Sequence, residues 1–309
     1  MDLSSINPVL LVTALMIAST PILLAAIGEL VVEKSGVLNL GVEGMMITGA
    51  ICGFIIAVET GSPALGFLCA ALGGAALSLV FAVITLYFLS NQVATGLALT
   101  LFGIGLSSLL GQNYGGVKPP STAKLDMGFL SDIPVLGPIL FNHDAIVYLS
   151  LAGVVAVWVF LKYSRAGLVL RSCGENAEAA HALGYKVKLI RMAAIAFGGA
   201  CAGLGGAYIS LIRVPTWVDG LTAGAGWIAL ALVVFGAWRP GRVLIGAYLF
   251  GGVTVLQLNL QAAGVAIPVE YLSMSPYLIT IAVLVIISAG RARALGAPAA
   301  LGQSFHASR

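Results

Sequence analysis

Charge is scarce in this chain. Asp, Glu, Lys and Arg together supply 9% of its 309 residues, against roughly 25% in a soluble domain, which excludes a water-soluble globular protein of this length. Hydrophobic residues make up 60%, so the class is a polytopic membrane protein. Lys and Arg are absent before the first apolar run (MDLSSINPVLL). Without a basic n-region that run reads as a retained transmembrane helix, not a cleaved signal peptide. Cysteine is equally sparse. Cys52, Cys69 and Cys201 lie in apolar runs and Cys173 in a basic loop, with no metal or redox spacing and no disulfide framework. Enzyme signatures are missing too: there is no Walker A loop, no H-E-x-x-H and no G-x-S-x-G. His143, His181 and His306 lie in loops or the tail, far apart in sequence and on different sides of the membrane in the expected topology, so one shared metal site is not expected. An S4-type arginine ladder, a selectivity filter and a repeated intramembrane acid–base pattern are also lacking. Any energy source for transport is therefore expected on another chain.

What is present is a series of nine apolar segments, at 9–29, 37–58, 64–89, 92–112, 145–162, 192–212, 223–238, 243–260 and 271–290. Most approach the ~20 residues needed to span hydrocarbon. The expected fold is all-α, with about nine transmembrane helices in a single domain over 1–309. The longest connections are an external loop at 113–144 and a cytoplasmic one at 163–191. Placing 162–191 in the cytoplasm puts Lys34, Arg239, Arg242, Arg291, Arg293, Arg309 and the loop's own charges inside, and only Lys118, Lys124 and Arg213 outside. By the positive-inside rule the N-terminus is then outside and the C-terminus cytoplasmic. The net charge of +3 follows from this placement and points to no nucleic-acid partner. Trp217, Trp238, Tyr163 and Tyr271 suit interfacial belts, and the Ala- and Gly-rich tail after Arg293 reads as loose. Stripes of small residues (Gly66, Ala70, Gly74, Ser78; Gly199, Gly203, Ala207; Gly49, Gly53) mark close helix packing, static or sliding.

The charged island from Lys162 to Arg191 stands out, with six of the fifteen Lys and Arg residues. Within it Gly174 to Gly184 reads as one short helix, with Asn176 as N-cap, Glu178 in the first turn and Gly184 at the close. A capped helix isolated on the cytoplasmic face is suited to a partner. At membrane depth, Asn39 and Glu43 would share a helix face in a stretch that Gly36, Gly41 and Gly44 make bendable. They either line a solute path or form a structural knot, and both readings stay open. Glu29 and Glu33 are placed at the inner interface. Asn91, Gln92 and Thr95 open the fourth span, and Gln257, Asn259 and Gln261 close the eighth. Such neutral amides suit a hydroxyl-rich or nucleobase-like solute, and equally serve interhelical bonding. Asp126, Asp132, Asp144 and Lys124 on the external loop read by default as a solvated loop, with salt bridges to a docking protein as the alternative.

Four blocks in order carry a resemblance: GELVVEKSGVLNLGVEGMMITGA (28–50), NQVATGLALTLFGIGL (91–106), LRSCGENAEAAHALGYKVKLIRMAAIAFGGACAGLGGAY (170–208) and GWIALALVVFGAWRPGRVLIGAYLFGG (226–252). Together they resemble the membrane permeases of bacterial ABC importers of the branched-chain amino acid and ribose type, nearest the simple-sugar and nucleoside branch. The resemblance implies that the loop helix is a coupling helix, with Glu175, Asn176, Glu178, Ala179, Ala180, Leu183 and Gly184 touching a cytoplasmic ATPase. It further implies a second permease, often a paralogue, an external solute-binding protein, ATP and Mg held by the ATPase and none by this chain, and residence in the bacterial inner membrane. Asn39, Glu43, Asn91, Gln92, Thr95 and Gln257 are the expected path residues, for a nucleoside first and a simple sugar next. The alternatives are a self-contained secondary transporter or facilitator, which would need its own ion site, and a membrane-embedded enzyme, for which Glu43 with Asn39 is too little.

Overall fold

The computed structural model describes residues 8–125, 128, 133–134, 137–263, 268–288 and 296–306. Among these the chain is helical, with two isolated bridges and no strand. The helices are α1 (Pro8–Lys34), α2 (Val42–Thr60), α3 (Pro63–Leu86), α4 (Gln92–Gly111), α5 (Ala145–Tyr163), α6 (Arg165–Glu175), α7 (Ala177–Ala182), α8 (Val187–Tyr208), α9 (Ala225–Phe235), α10 (Pro240–Ala262) and α11 (Val269–Ser288). Each of the nine apolar segments coincides with a helix. Seven among the described residues are long and apolar enough to cross a bilayer: α1 to α5, α8 with its π-helical continuation Ile209–Arg213, and α10. Helix α9 has only 11 residues, too few to span alone.

α1, α2, α3 and α8 pack most closely and form the centre. All three small-residue stripes meet there. A Cβ built on Gly49 would lie 2.2 Å from the Gly203 Cα, one on Gly203 2.1 Å from the Ala70 carbonyl oxygen, and one on Gly74 2.2 Å from the Gly199 carbonyl oxygen. Backbones in direct contact leave no room for a side chain, so the stripes bring α2, α3 and α8 together by dispersion at short range. α9 and α10 pack on the other side of α1.

Between α1 and α2 the chain leaves helical geometry. Gly36 adopts φ +91°, and the irregular stretch to Gly41 is held from α4: the Gln92 Oε1 accepts from the Leu38 N–H at 2.8 Å and the Thr100 hydroxyl donates to the Leu40 carbonyl at 3.2 Å. The second span therefore starts at Val42 rather than 37. Asn39 precedes the helix that carries Glu43, and the expected shared helix face does not exist. Instead the Asn39 Oδ1 accepts from the Gly41 N–H at 3.0 Å, a local turn that competes with helix.

The charged island differs from its expected form in two respects. Gly174 and Glu175 belong to the end of α6, and the short helix is only Ala177–Ala182. The break falls at Asn176, whose extended backbone (φ −150°, ψ 97°) ends one helix and caps the next. Arg191, counted among the loop charges, is 1% exposed. The tail is also fastened down: the Ala300 N–H donates to the Gly174 carbonyl at 2.9 Å, the Gly302 N–H to the Gly36 carbonyl at 3.1 Å, and Lys34 Nζ to the Gly296 carbonyl at 2.8 Å. Its bonds run mainly through backbone groups, which leave no side-chain pattern to read. Arg291, Arg293, Arg309, Asp126 and Asp132 lie outside the described residues.

Other placements change as well. Trp217 and Trp238 are buried, while Tyr163 and Tyr271 are exposed. Glu29 and Glu33, in the last two turns of α1, are buried within the protein. Trp238 donates its indole N–H to Glu33, and Asn39 Nδ2 reaches Glu29 at 3.4 Å. Asp144 is likewise engaged: its Oδ1 caps α5 by accepting from the Ile146 and Val147 amides, and its Oδ2 accepts from the Tyr208 hydroxyl at 2.9 Å. It is not free for a docking protein.

A surface helix and a polar cavity

Helix α7 protrudes at the end of the bundle where α1 stops. The Asn176 Oδ1 accepts from the Ala179 N–H at 2.9 Å, and Glu178 sits in the first turn, where a carboxylate complements the helix dipole. Gly184 turns the chain back at φ +88°, a conformation that disfavours a Cβ. One face of α7 packs inward: Ala177 and Ala180 join Cys173, Val187 and Phe305 in a small core. Burial pushes the Cys173 thiol up, against the opposing influence of Arg191. Of the expected partner-facing residues, Ala180 is thus turned into the protein. Glu175, Asn176, Glu178, Ala179, Leu183 and Gly184 are exposed. Leu183, 76% exposed, is the apolar knob at the tip.

Arg191 ties this platform to the membrane bundle. Its Nε donates to the Ser35 carbonyl at 3.0 Å, Nη1 to the Gln303 carbonyl at 3.1 Å and Nη2 to the Cys173 carbonyl at 3.3 Å. Cys173 lies in the last turn of α6, where carbonyls lack helical partners, and a guanidinium suits that negative end. The end of α1, the end of α6 and the tail thus converge on one side chain. The tail also touches α7 directly, with the Phe305 and His181 rings 5.5 Å apart.

A second polar locus lies within the bundle. Helix α9 begins without a capping side chain of its own, because its N-cap is Gly224 at φ +83°. Glu43, in the first turn of α2, supplies the missing acceptor across the helices. Its Oε1 accepts from the Thr222 hydroxyl at 2.5 Å and the Gly224 N–H at 2.9 Å, and its Oε2 from the Gly226 N–H at 2.7 Å. The carboxylate is 4% exposed and has donors on both oxygens, which is the geometry of a helix cap.

Thr222 links that cap to a cavity of about 260 Å³. Its polar lining comprises Arg213, Thr222, Thr254, Gln257, Ser273 and Tyr277, with Phe250 among its apolar walls. Phe250 and Tyr277 stack edge to face at 5.8 Å. Hydroxyls, an amide, aromatic faces and the Arg213 guanidinium suit a hydroxyl-bearing ring rich in acceptors. Of the expected path residues, Gln257 lines this cavity and Glu43 braces its edge. Asn39 and Gln92 meet elsewhere, around the 37–41 turn. Asn91 caps its own helix through the Ala94 N–H at 3.0 Å, and Thr95 bonds Ser90 at 3.0 Å. Sequence reading missed Thr222, Thr254, Ser273 and Tyr277, since single hydroxyls in apolar runs carry no periodic signal.

Known proteins resemble this chain over most of its length. A putative glucose ABC transporter permease of Haloferax volcanii is 41% identical over 96% of this chain and 97% of its own. A nucleoside ABC transporter permease of Lactococcus lactis is 33% identical and a guanosine ABC transporter permease of Bacillus subtilis 32%, each over 89% of this chain and 91% of its own. No solved structure matches. The family model for the permease component of branched-chain amino acid transport systems matches residues 11–287, and the chain, an ABC permease subunit that spans the membrane several times, belongs to that family.

Proposed function

We propose that this chain is one half of the membrane pore of an ATP-driven importer in a bacterial inner membrane, with its N-terminus outside and α7 on the cytoplasmic face. The observation that carries this reading is the exposed, capped α7, clasped through Arg191 to the end of α1. A push on α7 by an ATPase would reach the central helices through that clasp. ATP and Mg belong to the partner ATPase, and an external binding protein delivers the solute. Docking and ATP binding bias the permease pair between inward- and outward-open states, which is what couples two distant sites energetically. A paralogous second permease is the expected mate: Haloferax volcanii and Bacillus subtilis each hold a second matching permease of the glucose or guanosine type.

The solute is a small polar, hydroxyl-rich ring compound, read as a nucleoside. The amide and hydroxyls around the 260 Å³ cavity support that class, as do the two nucleoside permeases among the relatives. The glucose permease at 41% identity favours a simple sugar as the second reading. Vesicles holding this chain, its mate and the ATPase should accumulate labelled guanosine only with ATP and binding protein, and unlabelled nucleosides should compete while glucose does not. Competition by glucose alone would move the assignment to sugars. Equilibration of solute by this chain without an ATPase would replace the importer with a facilitator.

A further inference from the structure

The ends of α1, α5 and α6 and the α9–α10 junction enclose a cavity of about 780 Å³ that the transport reading does not use. Its lining holds five cations (Lys34, Lys162, Arg171, Arg239 and Arg242) and no carboxylate. Lys34 gives one N–H to the Gly296 carbonyl, and Lys162 lies 5.1 Å from the Trp158 ring and 5.0 Å from the Tyr163 ring. The Arg171 Nε is buried and has no hydrogen-bond partner. Arg239 and Arg242 are exposed at the cavity's edge. Below the cations the wall is apolar, formed by Val154, Val155, Trp158 and Leu161 of α5, a helix whose Val155 is 58% exposed. The cavity is therefore cationic at the span ends and greasy along them.

We propose that this cavity binds an anionic phospholipid, with its phosphate among Arg171, Arg239 and Arg242 and its acyl chains along α5. Glu175 and Glu33 act on Lys34 from outside the lining, but no carboxylate lines the cavity beside Arg171, Arg239 and Arg242, so their concentrated charge favours an anion. A site at the ends of membrane spans meets phospholipid headgroups at far higher local concentration than free anions, and basic pockets between spans are the recurrent form of such recognition. Trp158 adds an amphipathic ring at headgroup depth. This inference rests only on the chain spanning a membrane, so it stands or falls separately from the solute and the ATPase.

The test is native mass spectrometry of the intact transporter, wild type against Arg239→Gln/Arg242→Gln, after exchange into phosphatidylglycerol-containing or pure phosphatidylcholine vesicles. Both arginines are exposed, and although Arg239 is the N-cap residue of α10 its side chain makes no capping bond, so the variant should fold, and unchanged phosphatidylcholine retention and melting temperature check this. The wild type should retain phosphatidylglycerol, and the variant should bind it about 30-fold more weakly, from two charges near the membrane surface. Equal retention by the variant would overturn the proposal. Displacement by inorganic phosphate alone would make it a free-anion site instead. Loss of the ATPase or the second permease with retained lipid would make it a protein interface.

Discussion

Arg191→Met should release the C-terminal segment from the bundle. The side chain is 1% exposed and bonds three carbonyls from three parts of the chain. A hydrogen bond to a charged group contributes about 1.5–3 kcal/mol, and a buried acceptor left unmade costs about 1–3 kcal/mol. Relaxation and water recover part of this, leaving an expected loss of about 3 kcal/mol at the clasp. Hydrogen exchange reads it directly, because the Ala300 and Gly302 amides donate to Gly174 and Gly36. Both amides should be protected in the wild type and exchange about 100-fold faster in the variant. Arg191→Lys should fall between, since one ammonium cannot reproduce a planar fork aimed at three acceptors. Wild-type protection in Arg191→Met would mean that the tail is held without the clasp.

Glu43→Gln should lower uptake while leaving assembly intact. Its carbonyl oxygen can replace Oε1 opposite Thr222 and Gly224, but its amide then points N–H at the N–H of Gly226. One charge-assisted bond becomes an unmet donor, and the negative charge at the start of α9 disappears. Together these cost about 2–4 kcal/mol. The loss falls where Ala223 at φ +46° already holds disfavoured backbone, so the 220–226 turn should loosen first, and the Thr222 wall of the cavity with it. Uptake and the melting temperature in detergent are the measurements. Wild-type values in both would remove Glu43 from any part in the cavity.

These two residues show which features the sequence made legible. Nine of the eleven α-helices among the described residues follow from long apolar runs, and the α7 cap from three local residues, Asn176, Glu178 and Gly184. Each signal lies within a few positions of its effect. Arg191 instead reaches Ser35 across 156 positions and Gln303 across 112, and Glu43 reaches Gly226 across 183. Apart from the Thr222 hydroxyl on Glu43, their partners are backbone groups, which every residue carries, so little in the sequence marks the contacts. Sequence alone therefore presents Arg191 as a loop charge and pairs Glu43 with Asn39, its neighbour in the chain. Helix α6 was missed because Arg165 and Arg171 made its stretch look like loop, although Gly167, Leu170, Cys173 and Gly174 bury one face. The close backbone approach of Gly174 to Lys34 reads in sequence like a helix start.

The measurement that bears most directly on the importer reading is co-purification of the ATPase from membranes, comparing wild type with Glu178→Arg/Leu183→Asp. Both side chains are exposed on or beside α7 and make none of the contacts that hold it to the bundle, so the variant should insert and fold as the wild type does. A buried apolar anchor at a protein interface carries much of its binding energy, and Leu183 is the exposed candidate. The wild type should retain the ATPase, and the variant should lose it while keeping its mate. An ATPase that stays with the variant, or none that accompanies the wild type, would contradict coupling through α7.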